Sequence, residues 1–248
     1  MRLLLLINRD FPSYYALERL LPLIQGQTVR VLQTAQVGAP RAVPRALKRL
    51  ASHEQSLLQA QLSLPGHADW PAIQSALTQQ LGVPITTVTS VNQGLGFERM
   101  QSFQPDLVVS IRFGSILRPA AINLPRLGVL NLHSGLLPAY RGVMATFWSM
   151  LHQRSHYGYS IHDIIDEGID TGPLIEHESL PLDLNQDYLN QLLALYQSAV
   201  PRLARIIEQR EAAGVPRRLP NGATTGSYYS TPTASDCAQF SGLGLRLF

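Results

Sequence analysis

The chain has 248 residues, which is near the upper end of what one domain holds and enough to bury a full hydrophobic core. Hydrophobic residues make up 45% of the sequence and charged residues 15%, a balance that excludes a disordered chain. The formal net charge of +3 is too small to indicate nucleic-acid binding, although it favours attraction of a small anionic ligand.

Cysteine content and the N-terminal residues bear on the cellular compartment. A single cysteine, Cys237, excludes a disulfide framework within one chain and fits a reducing compartment. The apolar run at residues 3–7 is too short to span a membrane, and no small-residue cleavage site follows it. We therefore expect a cytoplasmic protein without a signal peptide or a membrane partner.

Hydrophobic patterning predicts strands and helices in alternation along the chain. Buried strands are predicted at residues 3–7, 28–32, 83–88, 107–109 and 129–133, and two later strands at 159–165 and 174–180. Helices are predicted after Ser13 as N-cap, at 41–62, at 70–80, and over an amphipathic segment containing Leu189, Leu192, Leu193 and Tyr196. Pro22 is expected to end or kink the first helix, and Pro201 to bend the last one.

This alternation predicts an α/β fold with a Rossmann-like, mostly parallel sheet flanked by helices. Residues from about 213 onward are rich in Gly, Ser, Thr and Pro and have little periodicity, so they are expected to form an arm or a loop layer. Ligands of such sheets bind beyond the carboxyl ends of the strands. The end of the strand at 129–133 is therefore the expected site.

Two short segments carry the chemistry. Asn131 and His133 are separated by one residue at the end of an apolar strand, so both side chains are expected on one face. Polar groups in that position need partners or a function. A second segment, residues 164–173, has two glycines and three acids between two predicted strands, and Asp170 lies within it.

Acyl transfer to an amine needs aimed donors for the charge that develops on the carbonyl oxygen. The Asn131 amide supplies an N–H, and a protonated His133 supplies another. A carboxylate such as Asp170 would orient the imidazole, favour its charged form and relay the amine proton through a water. No covalent nucleophile is required, because the amine itself attacks.

The paired motifs resemble a known family. The sequence is similar to the 10-formyltetrahydrofolate-dependent formyltransferases that act on methionyl-tRNA, glycinamide ribonucleotide or nucleotide sugars. The similarity lies in Asn131-Leu132-His133, in Leu136-Leu137-Pro138-Ala139-Tyr140-Arg141-Gly142 and in residues 168–172. The resemblance is good over residues 80–182. It implies a formyltransferase catalytic domain at 1–212, with a C-terminal extension at 213–248 packed on it.

The resemblance also implies roles for individual residues. Asn131, His133 and Asp170 would be the catalytic residues. The pocket for the pteridine of 10-formyltetrahydrofolate would be lined by Gly114, Ser115, Ile116 and Leu117 together with Ile165, Asp166 and Glu167. The stretch from Gly158 to Asp170 is one residue longer than in the tRNA and ribonucleotide enzymes, and a bulge at 163–166 is expected to absorb the extra residue.

Comparison within that family reduces the number of candidate acceptor amines. Residues 8–12 contain no glycine to cradle a phosphate, which argues against glycinamide ribonucleotide. Residues after the long helix are fewer and less basic than the added domain of the tRNA enzymes, so no nucleic-acid partner is expected. The sequence looks most like nucleotide-sugar N-formyltransferases, which are often dimers. Arg9, Tyr140 and Arg141 are the candidate residues for binding the acceptor.

Several alternatives stay open at the level of sequence. The alternative acceptor is an amino-acid-derived, siderophore or peptide amine. The alternative functions are a non-catalytic folate or nucleotide binding module and a hydrolase of the formyl donor. Arg141 either binds substrate or anchors its loop, and Tyr228 and Tyr229 either stack on a base or pack the arm. His152 and His156 have a zinc-helix spacing, but Gln153 replaces the required Glu, so no metal is expected.

Overall fold

The computed structural model describes residues 1–35, 42–215 and 226–248. Its strands are β1 (Arg2–Asn8), β2 (Thr28–Thr34), β3 (Ile85–Thr87), β4 (Leu107–Ile111), β5 (Val129–His133), β6 (Tyr140–Gly142), β7 (His156–Ile164), β8 (Leu174–Pro181) and β9 (Ser227–Tyr229). Seven of them form one sheet in the order β3-β2-β1-β4-β5-β7-β8. Strand β7 is antiparallel to both of its neighbours, β5 and β8, and all other neighbouring pairs are parallel. The predicted mostly parallel α/β fold is confirmed.

The helices connect these strands and cover both faces of the sheet. They are α1 (Phe11–Leu20), α2 (Arg45–Gln61), α3 (Trp70–Leu81), α4 (Gly94–Phe103), α5 (Pro119–Ile122), α6 (Ala145–Leu151), α7 (Tyr188–Ala213) and α8 (Ala234–Gly242). Within the described ranges, no helix combines the length and the apolar character needed to cross a membrane.

Strand β1 illustrates why the central strands have continuous apolar sequences. Leu3, Leu5 and Ile7 belong to the larger core cluster, whereas Leu4 and Leu6 belong to the cluster on the opposite side. Successive side chains of a strand point to opposite faces, so a strand with helices on both faces must be apolar throughout. This burial fixes the sheet whose carboxyl edge holds the site.

The first helix corrects one prediction. Asp10, not Ser13, is the N-cap of α1, and its carboxylate accepts a hydrogen bond from the Ser13 backbone N–H at 2.9 Å. Pro12 lies in the first turn, where the missing N–H costs nothing. The helix ends at Leu20, and a 3-10 turn follows that contains Pro22, as predicted.

Other predicted boundaries differ from the structure by a few residues. The strand predicted at 83–88 covers only Ile85–Thr87, and the helix predicted at 41–62 begins at Arg45, with residue 41 outside the described ranges. Helix α7 continues without interruption through Pro201.

The C-terminal arm contains a helix that patterning missed. Thr233 and Asp236 form a capping box at the start of α8, a signal that is visible in the sequence. The buried Phe240 stacks on Phe147 with ring centroids 4.4 Å apart. Strand β9 pairs with β6, so the arm contacts the segment that follows the Asn131–His133 strand.

Candidate functional site

A cavity of about 560 Å³ opens at the carboxyl ends of β4 and β5, where ligands of parallel sheets bind. Asn131, His133 and Asp170 all line it. Asn131 and His133 reach it together because they lie two residues apart on β5. Asp170 comes from the connection between β7 and β8, with its backbone in the left-handed region (φ 55°).

Asp170 connects the three predicted catalytic residues. Its Oδ2 lies 3.5 Å from His133 Nδ1 and accepts a hydrogen bond of 2.7 Å from the Gly142 backbone N–H. Its Oδ1 lies 3.4 Å from Asn131 Nδ2. The side chain is nine-tenths buried, so these groups replace water as its partners.

The charge on Asp170 is secured by its neighbours. Burial alone would raise the pKa of this carboxyl, but His133 and the Gly142 N–H outweigh burial and lower the pKa to about 2. The group is therefore a carboxylate throughout the physiological range and acts as a fixed negative charge beside the imidazole.

The orientation of His133 is set from its other ring nitrogen. Nε2 lies 2.6 Å from the Tyr140 carbonyl oxygen, and because a carbonyl only accepts, Nε2 must carry the proton. Nδ1 then faces Asp170. Protonation of Nδ1 makes an imidazolium between a carbonyl and a carboxylate, with the ring edge exposed to the cavity.

His162 is a fourth member of the site that the sequence did not identify. It is 1% exposed, and its Nδ1 donates a hydrogen bond of 2.9 Å to the backbone carbonyl oxygen of Asp163. In the neutral ring Nε2 is then an acceptor, and it lies 3.0 Å from Asn131 Nδ2 and 3.3 Å from Asp170. His162 thus takes one N–H of the Asn131 amide and leaves the second, weakly held by Asp170, for a ligand.

The sequence offered only an indirect signal for this role. Asn131 pairs with His162 across the antiparallel β5–β7 ladder, so the two residues share a face once that register is known. In the sequence alone, His162 was one of several histidines.

Among the described residues, no group of three His, Cys, Asp or Glu side chains is arranged to hold a metal ion.

Most of the residues expected around a pteridine line the cavity. Gly114, Ser115, Ile116 and Leu117 line the cavity, as do Asp166 and Glu167. Ile165 does not; its side chain is 59% exposed, and Ile164 lines the cavity in its place.

The expected bulge is displaced along the strand. The register between β7 and β8 shifts at Ile161/His162, earlier than the predicted position at 163–166. Ile161 pairs with Glu176 and His162 with Leu174, so the unpaired residue, Ile175, lies in β8. The ladder therefore has no register shift at the predicted position, and its unpaired residue lies outside the stretch from Gly158 to Asp170.

The three residues predicted to bind the acceptor lie outside the wall of this cavity. Arg9 lies over the ring of Trp70 in a separate cleft, 4.7 Å from the ring centroid. Arg141 donates from Nη2 to the Gly226 carbonyl at 3.1 Å, which is the loop-anchoring alternative. Tyr140 contributes its carbonyl to His133 and its hydroxyl to a contact with Arg154 at 2.9 Å.

Two residues that line the cavity were not among the candidates named for binding the acceptor, although stacking on a base was one alternative for Tyr228. Tyr228, brought in by the β6–β9 pairing, is half exposed at the mouth. Arg112 follows β4 and holds the buried Asp10 in an ion pair at 2.9 Å. Pairing of separate strands, β4 with β5 and β6 with β9, brings both residues to the cavity.

Comparison with known proteins defines the family. Residues 72–199, about half of the chain, match the family model described as formyl transferase, and the chain belongs to that family. It is 30% identical over 118 residues to a methionyl-tRNA formyltransferase of Kosmotoga olearia, covering 48% of this chain and 38% of that protein. It is 31% identical over 147 residues to one of Citrifermentans bemidjiense, covering 56% and 46%. The chain therefore spans less than half the length of these curated relatives.

Solved structures share the fold over nearly the whole chain. A sugar N-formyltransferase from Shewanella sp FDAARGOS_354 superposes with a TM-score of 0.61 at 17% identity, covering 93% of this chain and 77% of that one. An N-formyltransferase from Helicobacter canadensis, in complex with folinic acid and dTDP-3-aminofucose, gives 0.60 at 17% identity, covering 93% and 71%. A glycinamide ribonucleotide transformylase from Symbiobacterium toebii gives 0.59 at 18% identity, covering 89% and 93%.

Proposed function

We propose that the protein is an N-formyltransferase that moves a formyl group from 10-formyltetrahydrofolate to a primary amine. The observation that carries this proposal is the cluster at the wall of the cavity in which the Asp170 carboxylate lies 3.4 Å from the Asn131 amide nitrogen and 3.5 Å from His133 Nδ1. A non-catalytic binder has no need of an ionised carboxylate held beside a histidine and an amide.

The cavity suits a folate as formyl donor. Its volume is within the range of about 300–1,000 Å³ found for pockets that hold drug-sized ligands. The segment from Gly114 to Leu117 lines it, and Ile116 in this segment is half exposed. The donor supplies a formyl carbon that is open to attack by an amine.

The chain's own residues supply charge stabilisation and proton transfer. The Asn131 N–H that Asp170 holds only weakly and the positive charge of a protonated His133 stabilise the oxygen that gains negative charge during attack. The Asp170 carboxylate keeps His133 oriented and offsets its positive charge. Asp170 also orients a water that relays the proton released by the amine to the departing nitrogen.

For the acceptor, we propose the amino group of a nucleotide-linked amino sugar. Support comes from the several structural neighbours that are sugar N-formyltransferases, one of them solved with dTDP-3-aminofucose. The half-exposed ring of Tyr228 at the mouth offers a stacking surface for a nucleotide. An amino-acid-derived, siderophore or peptide amine is the alternative within the same chemistry.

Methionyl-tRNA is a second candidate acceptor. It is favoured by the sequence relatives, which are methionyl-tRNA formyltransferases matched at about 30% identity. The reacting group would again be a primary amine, so the same cluster serves both candidates.

The test is a turnover assay with 10-formyltetrahydrofolate, following tetrahydrofolate release by absorbance. The panel contains nucleotide-linked 3-amino and 4-amino sugars, ornithine-type amines, methionyl-tRNA and no acceptor. We expect release with an amino sugar and none with the Asp170→Asn variant. Release with another amine alone would replace the acceptor, and formate release without any amine would indicate hydrolysis. Folate binding without turnover across the panel would contradict the transferase proposal.

A further inference from the structure

Arg112 occupies an unusual position for an arginine. It is the first residue after β4 and has a left-handed backbone (φ 59°), a conformation that costs a non-glycine residue free energy. The preceding residue, Ile111, pairs with Leu132, so Arg112 and His133 are the next residues along two neighbouring parallel strands. A strained arginine beside the catalytic histidine suggests a functional reason for its placement.

The guanidinium of Arg112 is fixed by Asp10. Nε lies 3.0 and 3.2 Å from the two carboxylate oxygens, and Nη2 lies 2.9 Å from Oδ2. Asp10 is itself held by the Asn8 amide and by the backbone N–H of Ser13, both at 2.9 Å. Arg112 therefore has little freedom to move, which lowers the entropy cost of binding a ligand.

The Asp10 pair leaves part of the guanidinium for another partner. Arg112 has five N–H donors, of which Asp10 engages those on Nε and one on Nη2, and the hydroxyls of Tyr188 and Tyr196 lie near the rest of the guanidinium. Its side chain is 19% exposed and lines the cavity. The remaining donors are the part of this buried ion pair that a ligand can reach.

Tyr196 adds a second polar group with an unmet requirement. Its side chain is fully buried and lines the cavity, and its hydroxyl lies near the Arg112 guanidinium and Ser134 without completing a well-formed hydrogen bond to either. Incomplete hydrogen bonding of a buried hydroxyl costs free energy. An oxygen of a ligand would satisfy it.

The charges around this end of the cavity leave room for an anion. Asp10 balances Arg112, and Glu54 is close enough to both to feel their charges. Burial and Asp10 raise the pKa of Glu54 to about 8, against the opposing effect of Arg112. Glu54 is therefore uncharged at neutral pH and does not repel an anion, while Tyr188 contributes a neutral hydroxyl beside Arg112.

We propose that Arg112, held by Asp10, binds an anionic group of the acceptor amine, with the Tyr196 hydroxyl as a second donor. The group is a carboxylate or a phosphate, since both present the oxygens that a guanidinium recognises. This inference rests on the proposed function and adds to it that the acceptor carries a negative charge near the reacting amine. Arg112 thereby selects anionic amines over neutral ones.

The experiment compares acceptors that share an amine and differ in charge. One pair is an amino acid and its amide, and the other is a nucleotide-linked amino sugar and its neutral methyl glycoside. In Arg112→Gln, we expect KM for the charged member to rise about 10- to 100-fold, with kcat within about threefold, because one or two charge-assisted hydrogen bonds are lost. The neutral member should change little. The pair that responds identifies the carboxylate or the phosphate.

Two further variants separate binding from folding. The single variant Arg112→Gln leaves the buried Asp10 carboxylate without its ion-pair partner, which can unfold the protein. The double variant with Asp10→Asn removes both charges and avoids this cost. Arg126→Gln is the matched control, since Arg126 pairs with Asp106 on the surface at 2.8 Å. An unchanged KM for the charged acceptor in the single and double variants, or an equal rise for the neutral one, would overturn the proposal.

Direct binding keeps this inference distinct from the proposed function. Inorganic phosphate and acetate are titrated into the wild-type protein and into Arg112→Gln by calorimetry, with no formyl donor present. Binding that is lost in the variant supports the anion site even if no amine is formylated. Binding that is the same in both proteins, or absent from both, contradicts it.

Discussion

The Nε2 atom of His162 lies 3.0 Å from the side-chain nitrogen of Asn131, across the antiparallel pair of β5 and β7. Because Nδ1 of His162 donates to a backbone carbonyl, Nε2 of the neutral ring accepts an N–H of the amide. An amide turned by 180° would set two acceptor atoms against each other. His162 therefore determines which atom of Asn131 faces the substrate.

Replacing His162 should damage turnover more than folding. We expect His162→Leu to lower kcat about 10- to 100-fold, since the Asn131 amide loses its orientation, and His162→Gln to restore part of the rate by offering an acceptor oxygen. Steady-state kinetics with the preferred amine gives the comparison. The exposed His177 on β8 provides the control, His177→Leu. A His162→Leu enzyme with wild-type kcat would show that the contact has no catalytic consequence.

The three predicted catalytic residues should behave as a unit. We expect Asn131→Ala, His133→Ala and Asp170→Ala each to lower turnover by about 100-fold or more, because each removes a donor for the developing charge or the carboxylate that orients it. Turnover and thermal unfolding are measured on the same samples. If His133→Ala kept near-normal turnover with an intact fold, the assignment of the cluster would have to be abandoned.

Glu54 should make the stability of the protein depend on pH. Its folded-state pKa of about 8 lies above its ordinary value of 4.5, mainly because of burial and then because of Asp10. The folded state therefore holds a proton that the unfolded state releases, and this contribution to stability is complete below about pH 4.5 and is lost as pH rises through 8.

The isosteric variant Glu54→Gln tests this dependence, because it keeps an acceptor for the Phe11 N–H and removes the titration. We expect the variant to gain stability relative to wild type as pH rises from 5 to 8, by about 2–4 kcal/mol at the upper end. Denaturant unfolding at several pH values measures the difference. Parallel stability curves for the two proteins would mean that Glu54 does not titrate in this range.

Gly142 should be intolerant of any side chain. Its φ is 98°, and a Cβ would lie 2.1 Å from the Tyr229 carbonyl oxygen. Gly142→Ala is expected to separate β6 from β9, to cost about 1–3 kcal/mol, and to lower turnover because the Gly142 N–H no longer holds Asp170. Limited proteolysis of the C-terminal arm and turnover are the two measurements.

The matched control for this substitution is Gly66→Ala, where a Cβ would meet nothing within 4 Å. It should change neither proteolysis of the arm nor turnover. Wild-type behaviour of Gly142→Ala in both measurements would show that the β6–β9 contact is dispensable for the site.

Local patterns in the sequence predicted much of the fold and the centre of the site. The strand at Val129–His133 was predicted with its observed ends, because an apolar run closed by polar residues is a local signal. The helix at Ala234–Gly242 was missed, although its capping box is equally local, because the surrounding composition resembles a loop. Boundaries elsewhere moved by a few residues, as expected where tertiary contacts decide them.

What the sequence by itself determined is the placement of Asn131 and His133 on one face, since strand side chains alternate with a period of two. Only the tertiary structure decided the partners of that pair. His162 reaches Asn131 through the register of an antiparallel ladder, and Arg112 reaches Asp10 from a strand 102 residues further along the chain. Local periodicity predicts neither contact, because each contact depends on how separate strands align and on which side chains lie at the same edge of the sheet.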